Sequence, residues 1–371
     1  MTKILTVNTG SSSVRLAVFV RPAAGEMTRV AEERHEDGNT ESAALLRGFV
    51  QRHGVGQPDV IAHRVVHGGA RFTAPCRVDK EVESEIARLA PYAPLHNPRA
   101  LAWMHACREI FGPETTQTAV FDTMFYAALP PVARTYAIDA LLAERHALRR
   151  YGFHGLAHQA MWQRWRELAP RNAAGGRVIS LQLGAGCSIT AILNGAPQDT
   201  SMGFSPLEGL MMATRCGDLD PGLVTYLQRA EGLSPQDTEN LLNEQSGLLG
   251  VSGVSSDMRL LLDSTEPRAQ LAVNLYCYRI RKYIGAYIAV LGGVDAILFG
   301  GGVGEHVARV RAQVLDGLEW TGMLIDRESN TATTGTENRI SRSDSRVAIW
   351  VLPVDEAGIL AREALAVVTG T

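Results

Sequence analysis

The sequence predicts an α/β protein made of two related lobes, and three observations carry that reading. The chain has 371 residues, more than one hydrophobic core usually organises, so two domains are expected. Apolar strands alternate with helical stretches along its length. One device then appears once in each half. Residues 177–195, RVISLQLGAGCSITAILNG, read as a strand, a turn at Gly184-Ala185-Gly186 and a second strand. Residues 4–20, ILTVNTGSSSVRLAVFV, repeat the plan around Gly10 and the serines Ser11, Ser12 and Ser13. Glycines let a backbone approach an anion closely and turn successive N–H groups toward it. Two phosphate-facing hairpins, one per half, suggest two related lobes gripping a phosphorylated ligand between them.

Bulk properties fit a cytoplasmic enzyme. With 46% hydrophobic and 20% charged residues the chain can bury large cores, and a mean hydropathy of -0.02 argues against membrane residence. A formal net charge of -3 gives no sign of a nucleic-acid surface. The opening MTKILTVNTG runs straight into a strand without an export signal. The five cysteines, Cys76, Cys107, Cys187, Cys216 and Cys277, are scattered and never spaced CxxC. They read as reduced thiols, neither a disulfide framework nor a zinc site.

In chain order, residues 21–59 are the least patterned part of the first half: EERHEDGNTESAA reads as a polar connector and residues 45–53 as a helix. Residues 59–70, DVIAHRVVHGGA, form a short strand that delivers Arg64 and His67 into a Gly68-Gly69 turn. Arginine is rarely interior unless it binds an anion or a carboxylate, so Arg64 reads as functional. His67 reads equally as a ligand-facing or a packing histidine. Residues 78–107 are helical on either side of a turn at Leu95-His96-Asn97-Pro98, held rigid by Pro94 and Pro98. The strand at 118–125 ends in Asp122-Thr123. Ligands collect at the carboxyl ends of strands in open α/β sheets, which makes Asp122 a site candidate, with helix capping as the alternative.

The second half begins near Pro130-Pro131. In RYGFHGLAH, His154 stands between Phe153 and Gly155, where a flexible backbone lets an imidazole come close to a ligand. A helix at 161–168 and a polar loop at 171–176 lead into the second hairpin. Residues 200–222, TSMGFSPLEGLMMATRCGDLDPG, are long, irregular and rich in Gly, Pro and Asp, with Arg215 their only cation. Loops of that length are usually functional. Residues 223–244 turn helical, and Asp257 and Arg259 then head a helix with Ser255 or Ser256 as its cap. Residues 270–291 form a long amphipathic helix whose tyrosines, Tyr276, Tyr283 and Tyr287, read as core or interface. In VDAILFGGGVGEHVARV a strand, a glycine run at 300–304 and a helix suit an anion or a nucleotide. The P-loop GK[ST] is missing. Finally, the strand RVAIWVLPV ends in Asp355-Glu356, two acids that either bind Mg2+ or cap the last helix.

These motifs together resemble the acetokinase family, the acetate kinases. The matching stretches run from VNTGSSS (7–13) through HRVVHGG (63–69), PLHNP (94–98), FDTMF (121–125), YGFHG (151–155) and DTSMGFSPLEGLMMATRCGDLDP (199–221) to SGLLGVSGVSSDMR (246–259), GVGE (302–305) and DE (355–356). They cover nearly the whole chain in the family's order. Butyrate kinases resemble it less, lacking the HRVVHGG and TRCGDLDP wording. The resemblance implies two ribonuclease-H-like lobes of the superfamily that also holds sugar kinases, Hsp70 and actin. It sets a first lobe at 1–123, completed by the helix 358–371, and a nucleotide-binding second lobe at 124–357.

The implied activity is reversible phosphoryl transfer from ATP to acetate, with Mg2+ or Mn2+ and as a homodimer whose surface includes residues 270–291. The alternatives are a propionate or butyrate kinase, and a catalytically altered nucleotide-binding homologue with another phosphoryl donor. The resemblance places Arg64 on the substrate carboxylate and Val66, Leu95, Phe153 and Pro206 around its alkyl end. It assigns Asp122 to the acid/base position, His154 and Arg215 to transition-state stabilisation, and Asn8 and Glu356 to the metal. The nucleotide lies along Arg15, the run Gln182, Leu183, Gly184, Ala185 and Gly186, the run Asp257, Met258 and Arg259, and the run Gly302, Val303, Gly304, Glu305 and His306. A short-chain carboxylate is already ionised at neutral pH, so Asp122 is expected to orient rather than to accept a proton.

Four positions depart from the family's wording. Its phosphate hairpin reads HLGNGAS, where this chain has Gln182 and Ala185 for the histidine and the asparagine. Arg15 replaces a lysine, and His306 replaces the asparagine after GVGE. The backbone donors survive. Each lost hydrogen bond to a charged group is worth about 1.5–3 kcal/mol. A weaker or broader donor preference, GTP or pyrophosphate included, is therefore expected unless Arg15 compensates.

Overall fold

A computed structural model describes residues 1–10, 13–23, 25–36, 41–169 and 176–370. Ser11 and Ser12 of the first hairpin turn, and residues 171–175 of the polar loop, lie outside the described residues. The chain divides into two compact units, Met1–Ala127 with Asp355–Thr371, and Ala128–Val354.

The first unit holds strands β1 (Thr2–Thr9), β2 (Ser13–Arg21), β3 (Thr28–Glu36), β4 (Val60–Val65), β5 (Cys76–Arg77) and β6 (Thr116–Phe121) in one sheet of order β3-β2-β1-β4-β6-β5. β1, β2 and β3 form an antiparallel meander, β4 and β6 extend it in parallel, and the short β5 closes the edge antiparallel to β6. Val/Ile/Leu-rich β1 and β4 are almost entirely buried, as parallel strands covered on both faces must be. Leu5, Val7, Val14, Leu16 and Ile61 pack with Leu46 and Phe49 of the helix Ser42–His53 and with Trp103 and Cys107 of the helix Asn97–Phe111. The last helix, Glu356–Thr369, packs on β1, β4 and β6.

β3 corrects the reading of EERHEDGNTESAA as a polar connector, since the first five of these residues, 32–36, belong to the strand. Its segment TRVAEERHE has no apolar face, because it is an edge strand stabilised by charge pairing: Arg15 and Arg29 both meet Glu32, and Arg52 meets Glu33. Charged residues on such an edge also oppose pairing with another chain.

The second unit repeats the plan. Its strands are β7 (Arg177–Leu183), β8 (Cys187–Leu193), β9 (Ala196–Thr200), β10 (Ala296–Gly300), β11 (Asn338–Arg339) and β12 (Ala348–Val351). Read from its other edge the sheet is β9-β8-β7-β10-β12-β11. An antiparallel meander is again followed by two parallel strands and a two-residue antiparallel edge. The long helix Pro267–Leu291 buries Tyr276 and Tyr287, which are therefore core, while Tyr283 donates to Oδ2 of Asp218 at 2.8 Å. The helix Met258–Asp263 is capped by Asp257, whose carboxylate accepts from the Arg259 N–H, rather than by Ser255 or Ser256. An aspartate one residue closer simply outcompetes the serines; Ser255 Oγ accepts from the Asp257 N–H instead. Among the described residues no helix is long and apolar enough to cross a membrane.

Candidate active site

In the first unit the chemistry sits at the carboxyl ends of the parallel strands. Asn8 and Arg64 are the next-to-last residues of β1 and β4, and β6 runs into the 3-10 helix Asp122–Ala128. Arg64 donates through Nε (3.1 Å) and Nη2 (2.5 Å) to Oδ2 of Asp122, and through Nη1 to Oδ1 of Asn8 (3.3 Å) and to the Thr9 carbonyl (3.1 Å). Asn8 Nδ2 donates to Oε2 of Glu356 at 2.7 Å. Asp122 is fully buried and the Arg64 side chain is 11% exposed. Burial alone would lower the Arg64 pKa, but the charges of Asp122 and Glu356 and the hydrogen bond to Asp122 outweigh it and push it up. A guanidinium so held is permanently cationic and fixed in direction.

The turn after β4 is locked by residues that sequence reasoning left unassigned. Asn97 accepts from the His67 N–H at 3.2 Å and donates to the His67 carbonyl at 3.1 Å, while Thr123 Oγ1 accepts from Gly68 N–H at 3.0 Å. His67 Nδ1 accepts from Gly69 N–H, and its ring stacks on Tyr92. His67 is thus a fully buried brace of the turn.

Asn8 turns its amide nitrogen to Glu356 and its oxygen to Arg64; with the amide flipped, an oxygen and a carboxylate would stand side by side, a donor set that suits a hard divalent cation keeping most of its water. Of the two terminal acids, Asp355 caps the last helix through the Gly358 N–H, leaving Glu356 as the one beside Asn8. Arg15 stands opposite Asn8 in the β1–β2 register and pairs with Glu32 at 3.4 Å. It belongs to this unit, not to the one that carries the other residues assigned to the nucleotide. Val66 and Leu95 also lie here, Val66 buried and Leu95 exposed on its turn.

The second unit presents backbone where the first presents side chains. At the hairpin turn Gly184 N–H donates to the Gly186 carbonyl at 3.1 Å, and the Ala185 carbonyl accepts from Ala213 N–H, tying the irregular loop to the turn. His154 precedes the helix Gly155–Leu168 at φ +58°, a left-handed conformation that a histidine adopts at some cost. A Cβ on Gly186 would stand 3.3 Å from Cε1 and 3.4 Å from Nε2 of His154 and 3.5 Å from Nη1 of Arg215. Imidazole and guanidinium therefore converge on one glycine. Arg215 donates to the Pro206 carbonyl and to Sδ of Met212, and among the described residues it has no carboxylate partner. Its burial lowers its pKa, and an anion would relieve that cost.

The loop bearing Arg215 and Pro206 is held by a network that the sequence did not reveal. Arg150 binds Glu208 and the carbonyls of Thr200, Ser201 and Met202. Tyr136 donates to Glu208, and Asp218 accepts from Gly209 N–H and Tyr283. Phe153 is buried nearby in sequence to His154. After β10, Gly301 has φ +76° and lies so close to Leu183 that a Cβ would meet its carbonyl oxygen at 2.7 Å. Glu305 accepts from Gly301 N–H and Val354 N–H, which closes the glycine run on the end of the sheet. Gly302 and Val303 follow at the surface side of this turn, and His306 packs on Gly335. Asp257 and Arg259 pair with each other, Arg259 being largely exposed. A cavity of about 820 Å³ beside the helix Ala308–Leu315 contains none of these residues.

Two units of one topology, each a five-strand order of meander plus parallel pair with a short edge strand, define an α/β fold of duplicated ribonuclease-H-like lobes. Residues 25–362 match the acetokinase family. An acetate kinase of Solibacter usitatus is 45% identical over 88% of this chain and 78% of its own. The crystal structure of Porphyromonas gingivalis acetate kinase superposes with a TM-score of 0.90 at 35% identity, covering 99% of this chain and all of that one. A propionate kinase from Francisella tularensis superposes with a TM-score of 0.86 at 32% identity, over 98% and 99% of the two chains. The chain belongs to the acetokinase family.

Proposed function

We propose that the protein transfers the γ-phosphoryl group of ATP reversibly to acetate, giving acetyl phosphate and ADP. The observation that carries this reading is the 45% identity to an acetate kinase over 88% of the chain. The chemistry of the two units agrees with it. A carboxylate with a pKa of roughly 4.3 is ionised at neutral pH and needs no base. One of its oxygens forms the new bond to phosphorus as the bond to the β,γ-bridging oxygen breaks, and the electron pair leaves on ADP.

Arg64 receives the carboxylate, oriented by Asp122, while Val66, Leu95, Phe153 and Pro206 serve the methyl end. His154 and Arg215 neutralise charge on the phosphoryl oxygens, where such transfers gain most of their rate. Gln182–Gly186, Asp257–Arg259 and Gly302–His306 serve the nucleotide. Asn8 and Glu356 would hold Mg2+, or Mn2+ in its place, which when bound supplies further neutralisation of phosphate charge. The chain is assigned to the cytoplasm and to a homodimer that uses the helix Pro267–Leu291, whose Leu271, Tyr278 and Val290 are exposed.

The propionate kinase likeness favours a second acceptor. One methylene changes discrimination by only about 1–3 kcal/mol, so propionate should also react. The test is acyl-phosphate formation from acetate, propionate and butyrate with ATP, GTP, CTP and pyrophosphate in parallel. Acetate with ATP is expected to lead, and turnover confined to another acceptor, or absent with every donor, would overturn the reading.

A further inference from the structure

Behind His154 lies a file of three polar side chains, Ser188, His158 and Ser180, that no assigned role uses. Nδ1 of His154 is 2.9 Å from Oγ of Ser188, and the same oxygen is 2.8 Å from Nε2 of His158. Nδ1 of His158 is 2.9 Å from Oγ of Ser180, whose hydroxyl also has Sδ of Met161 at 3.8 Å as a second acceptor, a weaker one than an imidazole nitrogen. Ser180, Ser188 and His158 are fully buried. Burial, reinforced by nearby His154, drives the His158 pKa far below the ordinary imidazole value. His158 is thus neutral and carries one ring proton.

Each hydroxyl also has one proton to donate, so the file has only two fully bonded polarities. In the first, Ser180 donates to His158 Nδ1, His158 Nε2 donates to Ser188, and Ser188 donates to His154 Nδ1. A neutral His154 then carries its proton on Nε2. In the second, every bond is reversed, Ser180 gives its proton to Met161, and a neutral His154 carries no proton on Nε2. To donate from Nε2 in that polarity, His154 must become an imidazolium beside the Arg215 guanidinium. Of the titratable groups on the elements around it, Cys187, next to Ser188 on β8, is a thiol that burial pushes up to about 11; Glu167, in the last turn of the helix Gly155–Leu168, pairs with Arg164, and Glu208 and Asp218 of the Arg215 loop are engaged by Arg150, Tyr136 and Tyr283. An anionic phosphoryl oxygen at Gly186 needs a donor, and the first polarity provides one without a second cation.

We propose that Ser188, oriented by His158 and Ser180, is a positioning residue whose hydroxyl donates to Nδ1 of His154, so that the neutral imidazole presents its Nε2–H to the transferring phosphoryl group. The proposal deepens the carboxylate-kinase reading and rests on it. Its consequence is a donor that works well above the pH at which imidazoles ionise. Loss of the Ser188 hydroxyl leaves the tautomer of His154 unspecified at high pH, whereas in acid the doubly protonated ring regains Nε2–H.

The test is the ratio of wild-type to Ser188→Ala kcat across pH, which cancels the titration of other groups. The ratio is expected to be about tenfold or more at pH 8 and to approach one below roughly pH 6, with Ser188→Thr tracking the wild type. A ratio independent of pH would overturn the proposal. A second readout needs no Ser188 variant. Ring-15N spectra of the wild type with inorganic phosphate at pH 7.5, assigned by loss of the signal in His154→Asn, should show a neutral His154 protonated on Nε2. A ring protonated on Nδ1, or on both nitrogens, would contradict it. If the wild type transfers phosphoryl groups to no carboxylate, the functional reading fails, and the spectrum still decides the polarity of the file.

Discussion

The two units share one strand order and differ in what they place at the strand ends. At the carboxyl ends of β1, β4 and β6 the first unit places Asn8 and Arg64, each one residue before the last, and Asp122, one residue beyond, a side-chain network in which one guanidinium touches both neighbours. The equivalent β7, β10 and β12 of the second end in Leu183, Gly300 and Val351, around turns that expose peptide groups. Side chains discriminate a small carboxylate by charge and direction. Peptide N–H groups cradle a phosphate chain that has many oxygens and little shape of its own. On the proposed function, duplication of one scaffold separates two recognition tasks, and substitutions should break each separately.

The largest effect is expected from Arg64→Ala. It removes the cation assigned to the acceptor and leaves Asp122 buried without its partner, a loss that costs about 3–5 kcal/mol in comparable buried pairs. Acetate kcat/KM should fall a thousandfold or more, and urea unfolding should show the destabilisation. Retention of a tenth of the wild-type rate would remove Arg64 from the acceptor site. Gly186→Ala tests the second unit. Its Cβ would press on His154 and Arg215 at 3.3–3.5 Å, tight but not prohibitive. The fold should hold while kcat drops by roughly ten- to a hundredfold, because a small displacement of charged groups is felt strongly in a preorganised site. An unchanged kcat would show that these groups do not act together.

A smaller effect sharpens the comparison in acid. Each unit buries a neutral histidine, His63 on β4 and His158. Burial lowers the His63 pKa to about 4, against the hydrogen bond to Gln117 that favours the charged form. The unfolded chain takes up this proton near pH 6.5, so the stabilisation of the neutral fold is complete above that value and is lost as pH falls toward 4. Unfolding free energy should drop by on the order of 2 kcal/mol between pH 7.5 and pH 5, and His63→Asn should flatten that slope. An unchanged slope in the variant would place the acid sensitivity elsewhere, His158 being the next candidate.

The duplicated plan was legible because β1, β2, β7 and β8 are near-continuous runs of buried, mostly apolar residues around glycine turns, a pattern imposed by burial itself. Arg64 and Asp122 were legible because charges inside apolar strands are chemically conspicuous. β3 was hidden, since an edge strand needs no apolar face. The braces were hidden for another reason. Asn97, Ser188, His158 and Arg150 meet partners far away in sequence, and no spacing rule announces a hydrogen bond between residues 30 or more apart. Glu305 shows the converse: a motif residue whose carboxylate is taken up by Gly301 and Val354 backbone.

The division of labour is tested most directly by ADP affinity, measured by calorimetry without a divalent ion, in Arg64→Ala and Gly302→Val. Nothing lies within 4 Å of a Cβ placed on Gly302, so a side chain there starts into open space. A nucleotide lying against that backbone would nevertheless collide with it. Arg64→Ala should bind ADP within about twofold of the wild type, and Gly302→Val should bind it at least tenfold more weakly with its thermal unfolding unchanged. Wild-type affinity in Gly302→Val, or a comparable loss in Arg64→Ala, would contradict the assignment of the nucleotide to the peptide groups of the second unit.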